Sequence, residues 1–123
     1  MSRLPKATLT NVINFVPNGI EETALFNTVK KTVLNDYLND TKQPYCYGHF
    51  YLGGQIKINI DEEITLEKIT EARLINIKKL AEYGFCNSFE VMSMANHERK
   101  LNQIEEIIKC YLKIGQLREL ENN

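Results

Sequence analysis

Apolar positions recur along this chain with two different periods, and the points where the period changes divide it into segments. Thr8 to Val16 satisfies both periods. Leu9, Ile13 and Phe15 alternate as on a strand face, with Asn11 as the exception, while Leu9, Val12, Ile13 and Val16 share one side of a helix. Pro17-Asn18-Gly19 ends the segment as a turn. A helix follows. Asn18 is its candidate N-cap, with Glu21 at capping-box spacing, and Leu25, Phe26, Val29, Val33 and Tyr37 fall on one helical stripe. Ile20, Leu34 and Leu38 lie on a second flank, so this helix is expected to be covered on more than one side. Asn39, Asp40 and Pro44 close it.

Residues 45–60 change to a period of two. They read Tyr-Cys-Tyr-Gly-His-Phe-Tyr-Leu-Gly-Gly-Gln-Ile-Lys-Ile-Asn-Ile, two alternating runs around Gly53-Gly54, which is a β-hairpin pattern. Loop length decides which side chains share a face, because a slip of one residue reverses every one of them. A two-residue loop places Ile56, Ile58 and Ile60 beside Tyr51, His49 and Tyr47. A three-residue loop, Gly53 to Gln55, places them beside Leu52, Phe50 and Gly48. The second register gathers the apolar residues on one face and Tyr47, His49, Tyr51, Lys57 and Asn59 on the other, and it is the register adopted as the expectation.

Beyond Asp61-Glu62-Glu63 the helical period returns from about Thr65 to Tyr83. Leu66, Ile69, Leu74, Ile77, Leu80 and Ala81 are its expected apolar face, acids crowd its start where the helix dipole favours them, and Gly84 is its natural stop. Phe85 to Met94 reads as a strand with Phe89 and Val91 on one face and Met92 and Met94 on the other, although Asn87 and Glu90 have the spacing of a helix start. A last helix runs from about His97 to Ile114. Leu101, Ile104, Ile108, Tyr111 and Leu112 face inward, Glu105, Glu106, Lys109 and Lys113 face outward, Gly115 ends it, and a frayed tail follows from Glu119.

The resulting order, β-α-β-β-α-β-α, makes an α+β domain whose first six elements have the ferredoxin-like split βαβ topology, with an added C-terminal helix. If residues 8–16 and 85–94 are helical, the alternative is a mostly helical domain carrying one hairpin. The 123 residues fit one domain, 1–123, long enough to build a core without a metal or disulfide staple.

Fifteen basic and sixteen acidic residues leave a net charge of −1, which supplies no long-range attraction to nucleic acid or an anionic membrane. No apolar run approaches the length of a membrane helix, and the amino-terminal residues lack the apolar core of a signal peptide. Three cysteines, an odd number without close repeats, suggest reduced thiols and a cytoplasmic setting.

Candidate chemistry is sparse. Cys46 and His49 have the spacing of half a zinc site, with Cys86, His97 and Cys110 as further donors. Residues three apart on a strand diverge, however, and no second close pair exists, so no metal is expected. A Cys-His nucleophile has no sequence support beyond the presence of both residue types. The acids at 61–63, 67 and 71 lack the pattern of a calcium loop, and Gly53-Gly54 lacks any phosphate-loop fingerprint. No catalytic residue and no cofactor are expected.

One feature remains. Tyr45, Tyr47, His49 and Tyr51 alternate on one side of the hairpin with Lys57 nearby, and residues 41–60 contain two lysines and no acid. Exposed tyrosines anchor protein partners and can stack nucleobases, whereas burial under a helix or against a second copy of the chain is the bland alternative. The expectation is a non-enzymatic binding protein that docks on a host macromolecule, its first partner class protein, followed by RNA or single-stranded DNA, with a small enzyme as the third reading, a homodimer also compatible and no membrane role. Small size, few chemical groups, and a composition rich in Asn, Ile and Lys but lacking Trp suit an inhibitor or regulator of the anti-defence kind carried by phages and mobile elements.

Overall fold

A computed structural model describes residues 4–83 and 88–121 of the chain. Among them the order is α1 (Leu9–Ile13), α2 (Gly19–Asn27), α3 (Thr32–Asp40), β1 (His49–Leu52), β2 (Ile56–Asn59), α4 (Leu66–Tyr83) and α5 (Ser88–Glu121). The protein is a mixed α+β structure. The ferredoxin-like topology is not formed: the described sheet has two antiparallel strands, β1 and β2, and the mostly helical arrangement with one hairpin is the one adopted.

Both expected outer strands are replaced by helix. At the first, Thr8 decides the outcome, because its hydroxyl accepts the Asn11 N–H at 3.2 Å and so caps α1, turning Leu9 and Val12 into the core. Thr8 also pairs with Glu63 in an isolated antiparallel bridge, and Ile64 donates its N–H to the Ala7 carbonyl, so the strand signal here amounts to one bridge. At the second, Ser88 to Met94 form the first turns of α5; residues 84–87, which carry the expected Gly84 stop, Cys86 and the Asn87 cap, lie outside the described residues. Gly115 does not end α5. It passes Leu4 with ordinary van der Waals room for a Cβ, so nothing at that point demands a break.

The single helix expected after Pro17 is two. Thr28 turns its hydroxyl back onto the Leu25 carbonyl at 2.8 Å, and this local bond competes with continuation of the helical ladder. The break separates α2 from α3 while Val29, Val33, Leu34 and Tyr37 remain buried. At the start of α2 the reach-back carboxylate is Glu22, not Glu21: Glu22 Oε1 accepts the Asn18 N–H at 2.9 Å. Glu22 also takes a two-pronged ion pair from Arg118 of α5, at 2.6 and 2.9 Å. The Arg118 guanidinium lies over the Phe15 ring, and its hydrogen bonds hold the Glu22 carboxyl below the usual carboxylate range.

α4 and α5 form the most extensive contact in the molecule, fastened by Arg73, which reaches Glu98 at 2.9 Å, Asn102 at 2.8 Å and Glu105 at 3.3 Å. The face of α4 that enters the core is Ile69, Ala72 and Asn76. Leu74 and Ile77, expected inside, are 61% and 56% exposed, and Ala81 is exposed as well. On α5, Ile107 and Ile114 join the expected core residues, whereas Leu112 is 41% exposed.

Candidate functional site

The hairpin has the three-residue loop. His49 pairs with Asn59, Phe50 with Ile58, Tyr51 with Lys57 and Leu52 with Ile56, leaving Gly53, Gly54 and Gln55 to turn the chain. Phe50, Leu52 and Ile58 are fully buried, so the other face carries His49, Tyr51, Lys57 and Asn59 as two cross-strand pairs. Tyr51 is 43% exposed and takes the His49 ring edge-on at 5.4 Å. His49 Nε2 is shielded from water and has no hydrogen-bond partner.

Tyr45 and Tyr47 are not strand residues. The chain between α3 and β1 winds through successive turns, in which the Cys46 N–H meets the Gln43 carbonyl, the His49 N–H meets the Cys46 carbonyl, and the Gly48 N–H returns to the Thr41 carbonyl at 2.9 Å. Gly48 sits at φ +82°, a conformation that a side-chain-bearing residue rarely adopts. This winding interrupts the alternation seen in the sequence, yet it leaves Tyr45 and Tyr47 at 93% and 84% exposure. The structure thus puts the tyrosines of this segment at the surface, two on a turn and one on the strand.

The hairpin is held by its tip. Gly53 donates its N–H to the buried Tyr37 hydroxyl at 3.2 Å and accepts from Asn76 Nδ2 at 3.2 Å. Burial raises the Tyr37 hydroxyl to about 12, so it stays a neutral donor and acceptor, and its ring stacks on Phe50 at 4.6 Å. Both tip glycines have positive φ. A Cβ would lie 2.7 Å from Leu101 at Gly53 and 2.5 Å from the His97 ring at Gly54. Lys79 reaches Gln55 at 2.6 Å and completes the seat. Its members come from α3, α4 and α5, so the helical scaffold fixes the direction in which the hairpin presents its outer face.

Sequence reading missed Asn76 and the Tyr37 hydroxyl as parts of this seat. One signal was available: Asn76 falls four residues after Ala72 and seven after Ile69, a polar residue within the true apolar stripe. Tyr37 carried no such mark, since a stripe tyrosine reads as packing whether or not its hydroxyl is used.

Elsewhere the candidate chemistry disperses. Cys46 and Cys110 are free, half-buried thiols, and Cys86 is outside the described residues. No three His, Cys, Asp or Glu side chains converge as a metal site among the described residues. Glu62 is occupied, accepting from Lys68 at 2.7 Å and from the Asn59 N–H at 3.2 Å; the Lys68 bond first, then the Asn59 bond, holds its carboxyl below the usual range. It also brings a carboxylate to the base of β2, so the acid-free run of residues 41–60 does not make an acid-free surface. Met92 is exposed and Met94 buried, so the two do not form one surface. No described helix is long and apolar enough to cross a membrane. No protein-family model matches the sequence, and comparisons with curated proteins and with solved structures return no match.

Proposed function

We propose that the chain is a non-enzymatic binding protein that docks onto a protein partner through the outward face of the hairpin and the turn before it, with Tyr45, Tyr47, His49, Tyr51 and Lys57 as contacts. The observation that carries this reading is the display of Tyr45 and Tyr47 at 93% and 84% exposure on the turn before β1, and of Tyr51 at 43% on the hairpin face opposite the buried Phe50, Leu52 and Ile58. Tyrosine brings a large, stiff contact area with a polar tip, and such residues dominate binding energy when a partner covers them. A small plug of this kind would act by covering a surface on a larger protein, which suits an inhibitor or regulator working in a cytoplasm that keeps Cys46 and Cys110 reduced.

The nearby carboxylate of Glu62 and the net charge of −1 favour protein over a polyphosphate backbone. The test compares the wild-type chain with Tyr45→Ala/Tyr47→Ala in quantitative capture from candidate host lysates, alongside titration with single-stranded RNA and DNA at low salt. Loss of a stoichiometric protein from the variant alone is the expected result. Tight, tyrosine-dependent nucleic-acid binding with a steep salt dependence would overturn the protein-partner reading, and capture that ignores the tyrosines would overturn the site.

A further inference from the structure

α4 carries a second apolar stripe that the fold does not use. Thr70, Leu74, Ile77 and Ala81 follow one another at spacings of four, three and four, the a/d rhythm of a helix seam, and all four are exposed. Leu74 and Ile77 supply the bulk at the centre, at 61% and 56% exposure. The Thr70 hydroxyl is already spent on the Leu66 carbonyl at 3.0 Å, so covering Thr70 would strand no donor. The stripe lies away from the core face of Ile69, Ala72 and Asn76 and spans about 16 Å of helix.

The charges beside this stripe suggest what covers it. Glu71 and Lys78, both exposed, occupy equivalent positions on one flank, each directly after a seam residue. On the other flank Arg73 is held within the chain by Glu98, Asn102 and Glu105. A twofold axis between Leu74 and Ile77 would run two copies of α4 antiparallel. It would set Leu74 on the second copy's Ile77, Thr70 on Ala81, and Glu71 against Lys78, twice over by symmetry. Antiparallel pairing also opposes the helix dipoles. Parallel pairing would stack the acidic amino-terminal halves, Glu67 and Glu71, on each other. The antiparallel arrangement leaves two symmetry-related like-charge pairs, Glu67 with Glu82, at the solvated ends where salt screens them.

From this self-complementary pattern we infer that the outer stripe of α4 is a homodimer interface, two copies meeting through antiparallel α4 helices. The surface is separate from the tyrosine face, and the dimer would present two such faces to a partner.

Sedimentation of the full chain from low micromolar to near-millimolar concentration tests it. A reversible monomer–dimer equilibrium is expected. Leu74→Glu should abolish it while leaving the thermal unfolding transition in place, since that side chain is exposed. Glu71→Lys should weaken the dimer about threefold or more by setting like charges together at both symmetry-related contacts, and Glu71→Lys/Lys78→Glu should restore it. Tyr45→Ala/Tyr47→Ala should leave it unchanged, which separates failure of this interface from failure of the docking site. A chain that stays monomeric throughout, a dimer indifferent to Leu74→Glu, or a double swap that does not rescue would each overturn the inference.

Discussion

Lys57 and Ile58 are chain neighbours that meet opposite fates, one exposed and one fully buried, and the three-residue loop is what assigns them. The energetic consequence is asymmetric. Ile58→Ala removes buried methyl groups beside Phe50 and leaves a cavity, so chemical denaturation should show a loss of about 2–5 kcal/mol. Lys57→Ala should move stability by no more than about 0.5 kcal/mol, as surface replacements do. Gly54 is the other sensitive position. Its φ of +76° and the 2.5 Å approach to the His97 ring mean that Gly54→Ala must both strain the backbone and displace the ring. The backbone cost alone is about 1–2 kcal/mol, and the hairpin amides should lose hydrogen-exchange protection. Unchanged protection in that variant would mean that the tip is not seated as described.

At the level of elements, the segments readable from sequence were those with a single consistent period. The hairpin, α4 and most of α5 were legible because alternation, or a sustained helical stripe, fixed the element, and gathering the apolar residues on one face chose between the two hairpin registers. The rest depended on terms that no period contains. Residues 8–16 satisfied both periods; with a hydroxyl cap from Thr8 only Leu9–Ile13 became helix, and residues 14–16 leave it. The split between α2 and α3 falls at Thr28, whose hydroxyl bonds back to the Leu25 carbonyl, and no period marks it. On α4 the residues spaced as an apolar face were two interleaved stripes, one buried and one exposed, and Asn76 entered the core because the hairpin tip offers it a carbonyl. The tyrosines of the candidate site were legible as residues, but the turns that lift Tyr45 and Tyr47 clear of the strand were not. The Glu22–Arg118 pair joins α2 to the end of α5 across 96 residues of sequence and carries its own expectation. Both side chains are about nine-tenths covered. Glu22→Ala removes a charge-assisted two-pronged contact at the rim of the fold and should cost about 1.5–3 kcal/mol. Equilibrium unfolding of that variant checks it, and a loss under about 1 kcal/mol would show the pair to be an ordinary surface contact.

For the whole molecule, stability should fall toward acid in two stages. His97 sits under the hairpin tip; burial, then the nearby Lys100 and Lys79, lower its pKa from the ordinary 6.5. The folded chain therefore favours the neutral ring. Its contribution is complete above about 6.5 and is lost as pH falls from there to the lowered folded value. Glu22 and Glu62 have carboxyls held below their ordinary 4.5 by Arg118 and Lys68, so their contribution is present above 4.5 and disappears as pH falls through their folded values. Thermal midpoints followed downward from neutral pH should decline in these two stages, and His97→Gln should remove the first while sparing the second. The first stage loosens the seat that aims the tyrosine face, so any docking through that face should weaken over the same range.

Under the proposed function the outward tyrosines serve binding and not packing. The most direct measurement is made on Tyr47→Ala/Tyr51→Ala, with unfolding free energy and partner affinity determined on the same preparation beside Ile58→Ala. Expected is a double variant that unfolds far closer to wild type than Ile58→Ala does, yet binds its partner at least about thirtyfold more weakly, the loss of one strong anchor. A double variant that unfolds as readily as Ile58→Ala, with binding reduced only in proportion to the folded fraction, would contradict it.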